Sequence, residues 1–190
     1  MRNRMTVAVA AITLGLAGHV EAQKPETTGT RQHDQMMKGM MGMPDAMFVS
    51  MMIKHHQQGI EMASLEEARG ASASVKTLAA KIRQGQEKEL ADLKAHGQHA
   101  TPGMSGHADH EKMMAQQSQA TMAKLKNASG AALDHAFLEE MAKHHEMAIR
   151  MTETAKLEAP ELKKLAQAML TSQRQELSEL KRQLSSHTPR

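Results

Sequence analysis

The sequence predicts an all-α fold, a four-helix bundle made of two repeated helix hairpins plus a connecting helix. Three observations predict it. The stretch "DAMFVSMMIKHHQQGIEMA" from Asp45 recurs as "DHAFLEEMAKHHEMAIRMT" from Asp134, with Asp, Phe, Met, Lys-His-His, Ile and Met at matching positions. Within that repeat the chain's two Phe residues fall at the same place. Behind each copy lies a second shared stretch, "LAAKIRQGQEKELADL" from Leu78 and "LAQAMLTSQRQELSEL" from Leu165. Lastly, apolar residues recur at helical spacing, and no segment alternates as a strand does. The first stretches are offset by 89 residues and the second by 87, so only the turn between them changes length. Two such hairpins close into a bundle with an approximate internal twofold.

The elements follow in chain order. Residues 1–22 carry Arg2 and Arg4, a short apolar run from Thr6 to Gly18, and Val20-Glu21-Ala22 at the end. That is the pattern of a secretory signal peptide. The run is too short to span a bilayer comfortably, so the mature chain is expected to be periplasmic or otherwise exported, with no membrane insertion after cleavage. Residues 23–44, polar and then Met- and Gly-rich, read as a flexible arm. Asp45 follows Pro44 and is expected to cap a helix. That helix runs to about Arg69 and stops at Gly70. A second helix, about Ser74 to His96, completes the first hairpin, residues 45–96. Residues 97–133 hold the Gly- and Pro-broken stretch "GQHATPGMSGHADH" and a connecting helix from about Asp109 to Asn127. The second hairpin, residues 134–190, starts with Asp134 as a cap. Pro160 suits the first turn of its last helix, which ends near Ser186. Residues 45–190 are expected to form one domain.

Composition narrows the function. The 190 residues carry 24 Lys and Arg against 21 Asp and Glu, a formal charge of +3 that becomes +2 without residues 1–22. The signs alternate along the chain, and no Tyr or Trp is present to stack on bases. Nucleic-acid binding is therefore not expected. The absence of Cys excludes disulfides, thiolate ligands and a lipid anchor through Cys. The unusual feature is 19 Met. Met fills cores adaptably, but "MMKGMMGM", Met36 to Met43, lies where no core is expected.

In the first repeat, Phe48, Met52, His55, Gly59 and Met62 follow the spacing of a buried seam. The second seam is Phe137, Met141, His144, Ala148 and Met151. His55 and His144 therefore belong on the buried stripe. His56 and His145 lie one position round, four residues after Met52 and Met141 and within their reach. A single buried His is usually a core residue bonded to a polar neighbour. Four of them in two related seams, each flanked by Met, point to a metal. Thioether prefers Cu(I), and imidazole accepts Cu(I) or Cu(II), so copper is favoured, as Cu(I) over Cu(II). Zinc more often uses Cys, or His with carboxylate. Calcium and magnesium need oxygen ligands. Gln86, Glu89, Gln173 and Glu176 lie near the apolar stripes of their helices. They either orient the His rings from behind or bond to water. The remaining candidates form a looser set that captures copper by folding around it, or else a low-complexity spacer. They are Met36, Met37, Met40, Met41 and Met43 in the arm, and His96, His99, Met104, His107 and His110 before the connecting helix, with Met113 and Met114 following.

"FVSMMIKHHQQGIEMA" and "FLEEMAKHHEMAIRMT", each followed by a "Q..EL..L" helix, resemble the domain-of-unknown-function 305 family over nearly all of the chain beyond Asp45. The resemblance implies a ferritin-like bundle, export and, for members this rich in Met and His, periplasmic copper binding. It implies Met52, His55, His56 and Met62 as ligands, with Met141, His144, His145 and Met151 in the second copy. One departure is visible. The family motif has an apolar residue and Pro before the first His, whereas this chain has Ile53-Lys54 and Ala142-Lys143, so its helices lack a Pro kink.

The expected function is a non-enzymatic copper-binding protein. It would sequester or ferry copper in the periplasm, contribute to copper tolerance, and exchange ions with a periplasmic donor or acceptor protein, as a monomer or homodimer. Two alternatives remain. A ferritin-like di-iron or other metal-dependent redox enzyme needs inward carboxylates and Glu-x-x-His motifs. That motif is absent, and Glu140 before His144 is replaced by Met51 in the first copy. A Met-rich periplasmic chaperone accounts for the loop Met but not for the paired His.

Overall fold

The computed structural model describes residues 42–97 and 108–187, with the backbone alone for 108–111. Within them are five helices and no strand: α1 (Asp45–Arg69), α2 (Ala73–Gly97), α3 (Ala108–Lys126), α4 (Gly130–Thr154) and α5 (Pro160–Ser186). α1 pairs with α2 and α4 with α5, as the repeat predicts. α1 and α4 meet where the hairpins join, and α3 lies against both. No described helix is long and apolar enough to cross a membrane.

The seam residues are the core. Phe48, Met52 and Met62 are fully buried, as are Phe137, Met141, Ala148 and Met151. They divide into two apolar clusters. One gathers the start of α1 (Phe48, Met52), the end of α2 (Leu93), the end of α4 (Met151) and the start of α5 (Leu162, Met169). The other gathers the end of α1 (Met62), Val75 and Ile82 of α2, the start of α4 (Leu133, Phe137, Met141) and Leu180 of α5. α1 and α4 are therefore antiparallel. Between the clusters, at mid-helix, lies a buried polar layer of His55, His56, Gln86, His144, His145, Gln173 and Glu176. Burial of each large apolar side chain contributes about 1.5–3 kcal/mol, and these flanking clusters hold the polar layer in place.

Several boundaries depart from the sequence reading. α4 starts at Gly130 rather than Asp134, after a turn in which Gly130 adopts φ 56°, a conformation that favours Gly. Gly70 ends α1 without left-handed φ. Its need for Gly is spatial, because a Cβ there would collide with the Glu66 and Asp134 carboxyls. Neither Asp45 nor Asp134 caps its own helix. Asp45 accepts from the Glu158 and Ala159 amides (2.8 and 2.9 Å), just before α5. Asp134 accepts from the Ala71 and Ser72 amides (2.8 and 2.9 Å), just before α2. Each hairpin thus ties down the turn of the other. The arm is also shorter than expected. The Gly42 amide donates to Thr154 O (2.8 Å), the Lys156 amide donates to Met43 O (2.9 Å), and Met43 is buried in the first cluster.

Candidate metal centre

The four histidines fall into two kinds, related across the pseudo-twofold. His56 and His145 are held at both ring nitrogens. His56 Nδ1–H donates to Met52 O (3.0 Å), four residues back on its own helix, and Nε2 lies 2.8 Å from Glu89 Oε2 on α2. His145 repeats this with Met141 O (2.9 Å) and Glu176 Oε2 on α5 (2.8 Å). The sequence left open whether Glu89 and Glu176 orient the rings or face water. The structure answers that they orient rings, those of His56 and His145. Glu89 is held further by Ser172 Oγ (2.5 Å) and Gln173 Nε2 (3.5 Å) of α5. Glu176 has no such clamp, because Gly85 stands where Ser172 does in the other half. Met52 and Met141 meet these rings through their carbonyls, while their thioethers lie in the apolar core.

His55 and His144 stack on each other across the α1–α4 contact, with centroids 3.6 Å apart and planes 27° from parallel. Each lies 6.1 Å from its sequence neighbour's ring. His144 Nε2–H donates to His55 O (3.0 Å). That bond fixes the His144 proton on Nε2 and leaves Nδ1 as a lone pair. The matching approach of His55 to the His144 carbonyl falls short of hydrogen-bond geometry. His55 Nδ1, His55 Nε2 and His144 Nδ1 are consequently buried without a hydrogen bond. Burial, then the neighbouring His144, His56 and His145 rings, hold the His55 pKa well below the usual imidazole range. Burial, then His145 and His56, do the same for His144. Both rings are neutral at pH 7, the state a metal requires of its ligands. An unpartnered buried polar group costs about 1–3 kcal/mol. A layer built only for stability has no reason to keep three such nitrogens side by side.

Thioethers line the spaces onto which the two residues open. His55 opens on a cleft of about 530 Å³ between α1 and α3, lined by Met51, Gln58, Met114 and Ser118 together with Lys54 and Lys112. His144 opens on a hollow of about 30 Å³, lined by Met62, Met147, Met114 and Gln58. The hollow is the size of an ion or a water molecule rather than of an organic ligand. Among the described residues no three His, Cys, Asp or Glu side chains cluster tightly enough to hold a metal. The soft donors lining the spaces beside His55 and His144 are thioethers, and Glu140, the one carboxylate in the lining, is paired with Lys124 and Lys143. That donor set fits soft copper and does not match the carboxylate-rich shell of a di-iron site.

The sequence-predicted ligands separate accordingly. His55, His144 and Met62 line these spaces. His56 and His145 would have to surrender either a glutamate or a backbone carbonyl bond to bind a metal. Met151 lies in the first apolar cluster with Met43, so Met43 is not a free arm ligand. His96 is half-buried in the last turn of α2 and does not line either space. Met36, Met37, Met40, Met41, His99, Met104, His107 and the His110 side chain lie outside the described residues. Met51 and Met147 line the site although no sequence pattern selected them, and Met114, which the sequence placed only in the looser capturing set, lines it too. The signal was present, since each is a Met one position or one turn from a predicted ligand or on the connecting helix. Only packing distinguishes them.

The family model "Domain of unknown function (DUF305)" matches residues 45–184. Among solved structures, CopM in its Cu(II)-bound form is 30% identical, with 78% of this chain and 100% of that chain covered and a TM-score of 0.63. CopM in its Cu(I)-bound form is 27% identical, with 77% and 99% covered and a TM-score of 0.61. A DUF305 fragment from Deinococcus radiodurans is 26% identical, with 75% and 95% covered and a TM-score of 0.64. No curated protein matches the chain.

Proposed function

The chain belongs to the DUF305 family, and from that premise we propose that it binds copper, with His55 and His144 as the anchors of its tightest site. The observation that carries the proposal is the stacked pair of neutral imidazoles with three buried, unbonded nitrogens, beside spaces lined by thioethers. Met51 beside His55, and Met62 and Met147 beside His144, supply soft donors. Cu(I) suits that set better than Cu(II). The copper-bound forms of CopM support the same reading. His56 and His145 serve as struts, each locked by a glutamate from the neighbouring helix. The protein works outside the cytoplasm, as residues 1–22 indicate, and it sequesters or ferries copper in the service of tolerance. No group in the site needs to carry out a catalytic step.

The test is an anaerobic Cu(I) competition titration of the mature protein and of the His55→Ala/His144→Ala variant. The intact protein should hold Cu(I) tightly, and the variant should lose at least a hundredfold in affinity while keeping its helical circular dichroism. No tight binding by the intact protein, or equal binding by the variant, would overturn the assignment.

A further inference from the structure

Among the described side chains of α3, the bonds to the rest of the bundle gather at its C-terminal end. The Arg69 guanidinium donates to the Lys126 and Ala128 carbonyls (3.1 and 2.8 Å). Lys124 pairs with Glu139 and Glu140 of α4, each at 2.7 Å. Leu125 is fully buried, and Met122 packs against the same apolar cluster. Residues 112–121 contrast with this end. All are exposed or half-exposed, and among the described residues none hydrogen-bonds or ion-pairs with another helix. Within this stretch Met113 and Met114 are partly buried against the other cluster.

Met114 is placed where this asymmetry matters. It lines both the cleft at His55 and the hollow at His144, and no other thioether does. We propose that Met114 is a further ligand of the ion held by His55 and His144, and that α3 carries it on and off the site by pivoting about its Leu125 end. The proposal rests on the copper reading and adds how the ion enters and leaves. With α3 lifted, the ion keeps two imidazoles and is open to an incoming donor or acceptor. With α3 seated, a neutral soft donor completes the shell and covers the approach. Local opening of this kind belongs to segments with few buried contacts and few cross-helix bonds.

The test combines amide hydrogen exchange with Cu(I) release, on the mature protein and on Met114→Leu, a change that keeps volume and removes the sulfur. In the metal-free protein, amides of residues 112–121 should exchange at least tenfold faster than those of 122–126 and of α1. Cu(I) should slow them at least tenfold. Met114→Leu should abolish that slowing and speed Cu(I) transfer to a competing chelator at least tenfold, with α1 and α4 exchange unchanged. Uniform exchange along α3 in the metal-free protein would remove the pivot while leaving the copper reading intact. Equal release rates from the two proteins would remove Met114 as a ligand. If the intact protein holds no Cu(I), the copper reading itself falls and takes the Met114 ligand with it.

Discussion

Adjacent histidines on a helix point about 100° apart, and that angle divides the labour of each His-His pair. His55 and His144 face each other across the hairpin interface, whereas His56 and His145 face the second helix of their own hairpin. Seam spacing in the sequence was enough to bury the first two. It could not select Glu89 and Glu176 from the four polar residues near the stripes, because the choice depends on how helices 31 or 33 residues apart are rotated against each other. Glu66 shows the same limit. It is fully buried where the second repeat has Ala155, so the repeat gave no warning of it. Burial, then a hydrogen bond and charge repulsion from Asp134, raise its pKa to about 8, against a smaller opposing pull from Lys76. As a carboxylate it has no donor, but as an acid it supplies the missing proton toward Asp134. The folded state therefore keeps a proton that the unfolded chain releases above about 4.5. Stability contributed by this group should fall as pH rises from about 4.5 to about 8. Urea denaturation at pH 5, 7 and 9 should show that decline in the parent and a flatter profile in Glu66→Gln. A decline of the same slope in both proteins would assign it to other groups.

At the scale of elements, the repeat predicted four of the five helices to within a residue or so at most ends, yet misread the two aspartates that open the motifs. Asp at a helix start reads locally as a cap, and local pattern cannot see a turn 62 to 114 residues away. The real partners are the Glu158 and Ala159 amides for Asp45 and the Ala71 and Ser72 amides for Asp134. Each carboxylate meets two backbone donors ahead of a helix, where negative charge is favoured. These clasps explain why the motif begins with Asp in both copies. Asp45→Ala and Asp134→Ala should each cost about 1–2 kcal/mol. The two clasps lie at opposite ends of antiparallel helices, so the double variant should show the sum within about 0.5 kcal/mol. Urea midpoints with unchanged slopes measure this. Single losses below about 0.3 kcal/mol, within the ordinary scatter of surface substitutions, would mean that the clasps do not hold the hairpins.

For the whole molecule, the question is where the folded bundle stops and the Met-rich arm begins. Composition put the boundary after Pro44, because Gly and Met in "MMKGMMGM" resemble a linker. The structure moves it. Gly42 and Met43 bond to Thr154 and Lys156 at the end of α4, and Met43 fills the first cluster beside Phe48 and Met151. One segment therefore serves two purposes. Met43 is a core side chain, while Met36, Met37, Met40 and Met41 remain candidates for loose copper capture. Two truncations of the mature chain separate these roles. Deleting residues 23–41 should lower the number of Cu(I) ions bound at saturation, counted by elemental analysis, and leave the tight site and the melting temperature unchanged. Deleting residues 23–43 should lower the copper count no further. It should destabilise the fold by about 2–5 kcal/mol, the usual cost of removing a buried Met side chain. If the shorter deletion also abolished tight binding, the arm and the bundle would share one site, and the division between a preformed His55–His144 centre and a capturing arm would be wrong.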